Sequence, residues 1–186
     1  MLSWRRGKAG LRGSYRNAVT DEDKMSVGDI TILESVSWDW FASCTVQARD
    51  ASDVFLKRKA FALLRAIARY QHVHFSRLPW ALRLESGIDP VHRHFHFLIG
   101  SLRHIEQGER FRVMNTWNTL LGGSPDRVKG TCRVRLYEPA IGLAGYLAKE
   151  LNAAEVQSWL RGDVMLSNAA ARIGWRNARM RVPLTA

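Results

Sequence analysis

Four stretches of this chain alternate apolar and polar residues at a period of two, the pattern of strands with one dry face and one wet face. The first follows Trp38, with Trp40, Ala42, Cys44 and Val46 on one parity and Ser43, Thr45 and Gln47 on the other. In the second, Trp80, Leu82 and Leu84 turn inward and leave Arg83 and Glu85 on the wet parity. The third has Phe95, Phe97 and Ile99 inward and His92, His94 and His96 outward. The fourth, Gly130 to Tyr137, has Cys132, Val134 and Leu136 inward with Arg133 and Arg135 outward. Residues 86–90, Ser-Gly-Ile-Asp-Pro, read as the turn that joins the second and third stretches into a hairpin.

Between these strands the period changes to that of a helix. Residues 50–53 supply helix-start chemistry, and Leu56, Ala60, Leu63, Leu64 and Ile67 form an apolar stripe beside Lys57, Arg58, Arg65 and Arg69, predicting a helix over roughly residues 52–70. A second helix is predicted over 109–121, with Phe111, Met114, Trp117, Leu120 and Leu121 as its buried stripe, Trp117 in the core, and Gly122-Gly123 as its stop. Pro139 opens a third, whose buried stripe is Ala140, Leu143, Leu147 and Leu151 and whose adjacent face carries Tyr146 and Lys149. A short amphipathic segment over 156–160 follows, then Arg172, Arg176, Arg179 and Arg181 in a basic tail or terminal helix. An antiparallel sheet with helices packed on one face satisfies this order, and the fold class expected is α+β.

The division expected is a basic N-terminal arm over 1–37, one compact domain over 38–152 and a basic helical segment over 153–186. The arm's first twenty residues carry no acid, which fits a tail lying on nucleic acid and also a transit peptide. Net charge is +11, mostly from arginine, the side chain suited to bidentate phosphate contacts, so a polyanion is the first partner to consider. The alternatives are a basic surface that only confers solubility, or an anionic membrane, for which no amphipathic anchor is evident. No apolar run is long enough to span a bilayer, and a soluble protein without a membrane partner is expected. Cys44 and Cys132 both fall at inward parity without a C-x-x-C partner, so free buried thiols in a reducing compartment are expected, with a cross-strand disulfide as the alternative.

His94 and His96 on one strand face are either two solvated imidazoles or half of a metal site. Glu85, on the wet parity of the preceding strand, adds a third donor if the register puts it opposite the histidine pair. Two nitrogens and a carboxylate, with room left for water or phosphate, suit Mg²⁺ or Mn²⁺ better than a closed structural zinc site, although imidazole does not exclude zinc. Arg83, Arg133 and Arg135 are candidates for tracking a phosphate backbone, or are solvated strand faces.

The order of these elements, from the Trp38-Asp39-Trp40-Phe41 strand through Leu84-Glu85 and His94-Phe95-His96 to Gly145-Tyr146-Leu147-Ala148-Lys149, resembles the HUH endonuclease superfamily, specifically the rolling-circle replication initiators. The likeness spans roughly 38–151. It implies a ferredoxin-like or RRM-like central antiparallel sheet with the site on its open face. It further implies His94 and His96 as metal ligands, Glu85 as the acidic third ligand, Tyr146 as nucleophile and Lys149 as the lysine of the catalytic helix. The activity implied is a nick in single-stranded DNA through a 5′-phosphotyrosine, leaving a 3′-hydroxyl that primes synthesis or reverses the reaction. The partners implied are single-stranded DNA, an origin hairpin among its forms, and a host helicase and polymerase, in the cytoplasm of a bacterium carrying a plasmid, phage or other mobile element. His92 is read as a bystander.

The chain departs from that pattern in three places. Ala42-Ser43-Cys44-Thr45 stands where a Thr-Leu-Thr strand is usual, Glu150 follows the lysine so that the helix carries a single tyrosine, and no phosphate-loop helicase motif follows. The alternatives are a transposase or relaxase of the same chemistry, a phosphoesterase that uses water, and a noncatalytic nucleic-acid-binding module.

Overall fold

A computed structural model of the chain describes residues 33–47, 51–86, 93–141 and 164–181. Its centre is a five-stranded antiparallel sheet built from β1 (Trp38–Val46), β2 (Trp80–Ser86), β3 (Arg93–Gly100), β4 (Cys132–Leu136) and β5 (Val164–Leu166), in the order β4-β1-β3-β2-β5. Three α-helices flank it among the described residues: α1 (Asp53–Tyr70), α2 (Gln107–Leu120) and α3 (Asn168–Arg181). The fold is α+β, as the alternation predicts.

The dry parity builds the main core. Trp40, Ala42, Cys44, Trp80, Leu82, Phe95, Phe97, Ile99 and Val134 pack with Leu56, Ala60, Leu63, Leu64 and Ile67 of α1, so every residue of the predicted α1 stripe is buried. Ser52 caps that helix by accepting a hydrogen bond from the Phe55 amide at 3.2 Å. In α2 the buried stripe is Val113 and Trp117, and Phe111 is half exposed instead of buried. The reason is angular: at 100° per residue Val113 lies about 40° from Trp117 around the helix, and Phe111 about 120°. Trp117 is fully buried, donates from its indole nitrogen to the Thr45 carbonyl at 2.8 Å, and meets Phe95 edge-on, a core role as expected. Gly122 ends α2 at φ +79°, a conformation glycine adopts without steric cost.

The helices are not confined to one face. A bulge between Trp38 and Trp40 turns Trp38 onto the other side of the sheet, where it joins Phe41, Ala81, Leu98, Leu33 and Val36 in a second apolar cluster that α3 covers through Ala170 and Ile173. Phe41, Ala81 and Leu98 are the apolar residues at wet-face positions that require this cover. Residues 33–37, within the stretch read as an arm, therefore include packed positions, with Leu33 fully buried and its carbonyl accepting from the Trp38 indole at 2.9 Å.

Several further expectations need correction or relocation. Cys44 and Cys132 are opposite one another in the β1–β4 ladder, Cα atoms 4.0 Å apart, and are joined in a disulfide in place of the expected free thiols. Parity places both inward but cannot reveal that β4 pairs with β1 in the register that opposes them. Leu136, inward by parity, is exposed at the end of the outer strand β4. β5 has three residues, too few to display alternation. After Pro139 a 3-10 turn, Pro139–Ile141, is described, and the rest of the third predicted helix, the 156–160 segment and residues 87–90 of the predicted turn lie outside the described residues. The final arginine-rich stretch is helical, one of its two expected forms. Among the described residues no helix is long and apolar enough to cross a membrane.

Candidate functional site

On the wet face, antiparallel registers arrange the polar residues in rows that cross the sheet. One row runs Arg133 (β4), Ser43 (β1), His96 (β3), Arg83 (β2), Val164 (β5). The next, towards the C-terminal end of β2, contains Thr45, His94 and Glu85. In the other direction lies Arg135, Phe41, Leu98, Ala81, Leu166, the row beneath the second apolar cluster. The wet face is thus apolar and roofed by α3 at one end and polar at the other.

The register therefore brings together His94, His96 and Glu85. His94 pairs directly with Glu85, and His96 follows on the same face one pleat along. Directly opposed residues in such a ladder have Cβ atoms about 4.5–5.5 Å apart, and same-face neighbours along a strand are about 6.8 Å apart, so the backbone sets these three positions beside one another on one face. Carboxylate oxygen suits Mg²⁺ and Mn²⁺, whereas imidazole nitrogen suits zinc and other first-row transition metals. Both histidines are half-buried. The His96 ring stacks on Phe41, centroids 5.6 Å apart and planes 14° apart, which restricts the orientation of the imidazole. Phe41 is a site-shaping residue that alternation does not single out; its signal is an aromatic side chain on the wet parity of β1.

Arginines surround this row, in different environments. Arg133 is exposed on the outer strand β4. Arg135 is half-buried with its guanidinium 5.5 Å from the centre of the Phe41 ring, a cation–π contact that sets positive charge in the row next to that of His96. Arg83 differs from the expectation of a solvent-facing side chain: it is 7% exposed, between His96 on β3 and Val164 on β5. Its charge beside His96 favours an anionic ligand at this end of the sheet. At the edge, Thr45 and Thr131 share a hydrogen bond between hydroxyls at 2.6 Å and tie the start of β4 to β1.

Tyr146 and Lys149 lie outside the described residues. The stretch that contains them, 142–163, connects β4 to β5, the two outer strands of the sheet.

No family model, curated protein or solved structure matches the chain. The site itself carries the functional reading.

Proposed function

We propose that this protein is a metal-dependent HUH-type endonuclease that nicks and rejoins single-stranded DNA, acting in the initiation of rolling-circle replication in the cytoplasm of a bacterial host. The observation that carries the reading is the pairing of Glu85 with His94, with His96 on the same face of the central strand of the sheet. A site on the polar part of an antiparallel sheet, fed by a basic chain of net charge +11, is what such an enzyme requires.

In this reading His94, His96 and Glu85 hold a divalent ion, Mn²⁺ or Mg²⁺, which when bound polarises a phosphate and offsets the charge that develops on it. Phe41 keeps the His96 ring in one orientation. Arg133 and Arg135 contact phosphates flanking the scissile one, and the buried Arg83 adds a fixed positive potential beneath them. Tyr146 is the nucleophile. Its phenolic oxygen forms a bond to phosphorus as the bond from phosphorus to the 3′-oxygen breaks, the phenol proton is lost, and the departing 3′-oxygen takes up a proton. An unperturbed phenol, with a pKa near ~10, is a weak nucleophile at neutral pH, and Lys149, three residues along the chain, supplies the positive charge that favours the phenolate. The phosphotyrosine conserves the energy of the phosphodiester, so attack by the 3′-hydroxyl reverses the step. With one tyrosine in that segment, a single subunit performs one cleavage at a time.

The test is incubation with Mn²⁺ and a diverse pool of single-stranded oligonucleotides, followed by denaturing gel electrophoresis. A protein–DNA adduct that survives denaturant is expected. Cleavage without adduct would instead indicate a hydrolase that uses water, and the absence of both cleavage and adduct a binding module.

A further inference from the structure

The helix α3 carries a feature that neither packing nor the proposed chemistry uses. Of the five tryptophans among the described residues, Trp38, Trp40, Trp80 and Trp117 are at most 7% exposed, whereas Trp175 is 53% exposed. The buried side of α3 is built from Ala169, Ala170, Ile173 and Gly174, so the helix docks on the sheet without Trp175. Arg172 and Arg176, three residues before it and one after, are also exposed, and α3 contains no acidic residue.

The placement of α3 is as informative as its composition. Ser167, just before the helix, accepts from the Trp80 amide at 3.0 Å and the Ala170 amide at 3.1 Å, which fixes one end to β2. Asn177 donates to the Ser35 carbonyl at 2.8 Å, which fixes the other end beside the entry to β1. Between these points α3 covers Phe41, Ala81 and Leu98, the row next to His96 and Arg83. The helix is therefore a firmly held wall along one side of the polar rows, with an aromatic ring and two guanidinium groups facing solvent.

We propose that the outer face of α3 is a rim that binds the single strand beyond the scissile phosphate, with Trp175 stacking on an unpaired base and Arg172 and Arg176 contacting its phosphates. Unpaired bases offer the flat apolar surface that an exposed indole needs, and stacking of this kind tolerates any base. An acid-free helix face complements the charge of a polyanion. The inference rests on the reading of the wet face as a site for single-stranded DNA, and extends it to a part of the molecule that takes no part in the chemistry.

The experiment is fluorescence anisotropy of the full-length protein with labelled (dT)20 in EDTA, where no nicking is required. Trp175→Ala is expected to weaken binding roughly 5- to 100-fold and Trp175→Phe to retain most of it, because a phenyl ring still stacks. Arg172→Gln with Arg176→Gln is expected to lower the slope of log affinity against log salt by about 1.4, or about 0.7 for each phosphate no longer neutralised. Trp175→Ala is expected to leave the affinity for a blunt 20-base-pair duplex unchanged. Binding of (dT)20 by Trp175→Ala within twofold of the wild type, or an equal loss on the duplex, would overturn the rim while leaving the nuclease reading intact. A wild-type protein with no affinity for (dT)20 would overturn both.

Discussion

Glu85 stands directly opposite His94 in the antiparallel ladder between β2 and β3, and this one pairing gives the histidine pair a carboxylate neighbour from another strand. The two residues are nine positions apart in sequence. Their approach is a consequence of register, and a slip of one residue would send Glu85 to the opposite face among the core aromatics.

Metal affinity is the first consequence. Isothermal titration with Mn²⁺ should give one site per chain. His94→Ala and His96→Ala should each weaken it by more than the roughly 10- to 100-fold loss typical of a change outside the ligand sphere. Glu85→Gln should also weaken it, because the amide keeps the shape and removes the charge. An unchanged affinity in all three variants would mean that the ion is held elsewhere.

The buried side chain of Gln71 should prove more important for stability than the ion pair between Asp53 of α1 and Arg93. Gln71 is fully buried at the end of α1, accepts from the Arg103 and His104 amides at 2.7 and 2.8 Å, and donates to the His104 carbonyl at 2.7 Å. Gln71→Ala leaves those backbone groups without their partner and should cost about 2–3 kcal/mol in urea denaturation. The Arg93–Asp53 pair, at 2.8 Å, has an Asp53 side chain 54% exposed, and Asp53→Ala should cost less than about 1 kcal/mol because solvent screens it.

Trp117 links α2 to the sheet by both packing and a hydrogen bond to Thr45. Trp117→Ala should destabilise the fold by about 3–5 kcal/mol, measured by the same denaturation. A smaller loss, below about 1 kcal/mol, would show that α2 is not integral to the core.

Two glycines should respond to alanine in opposite directions. A methyl group at Gly100 would overlap the carbonyl oxygen of Ser37, which is backbone and cannot rotate away, so Gly100→Ala should cost about 1–3 kcal/mol. At Gly108, in the first turn of α2, a methyl group would meet nothing, and Gly108→Ala should stabilise by about 0.4–1 kcal/mol by restricting the unfolded chain. A urea midpoint that rises in Gly100→Ala would contradict the close approach at Gly100, and one that falls in Gly108→Ala would contradict the open space at Gly108.

Much of this architecture is legible from alternation and helical spacing. The inward residues of β1, β2 and β3 are the residues buried under α1 and α2, because a strand with one wet face exposes its parity directly. What escapes is whatever depends on which strand lies beside which. The Cys44–Cys132 pair, the alignment of Arg83 with His96, and the row that leads from Arg133 to Val164 are all properties of register between segments distant in sequence. Phe41, Ala81 and Leu98 are visible in the sequence as apolar residues on the wet parity, and taken together they call for cover over part of that face. Phe111 recurs at a spacing that is nearly, but not angularly, in phase with Trp117, which is why it is exposed where the stripe implied burial. Tyr146 and Lys149 rest on the family resemblance and on helical spacing.

In the proposed function, an ion held by His94, His96 and Glu85 would activate a DNA phosphate for attack by Tyr146. Proteolysis and mass spectrometry of the adduct formed with a single-stranded oligonucleotide in Mn²⁺ tests this. A 5′-phosphorylated DNA fragment attached to Tyr146 is expected, absent in EDTA and absent in Tyr146→Phe. An adduct on another residue, or one formed equally by Tyr146→Phe, would contradict it.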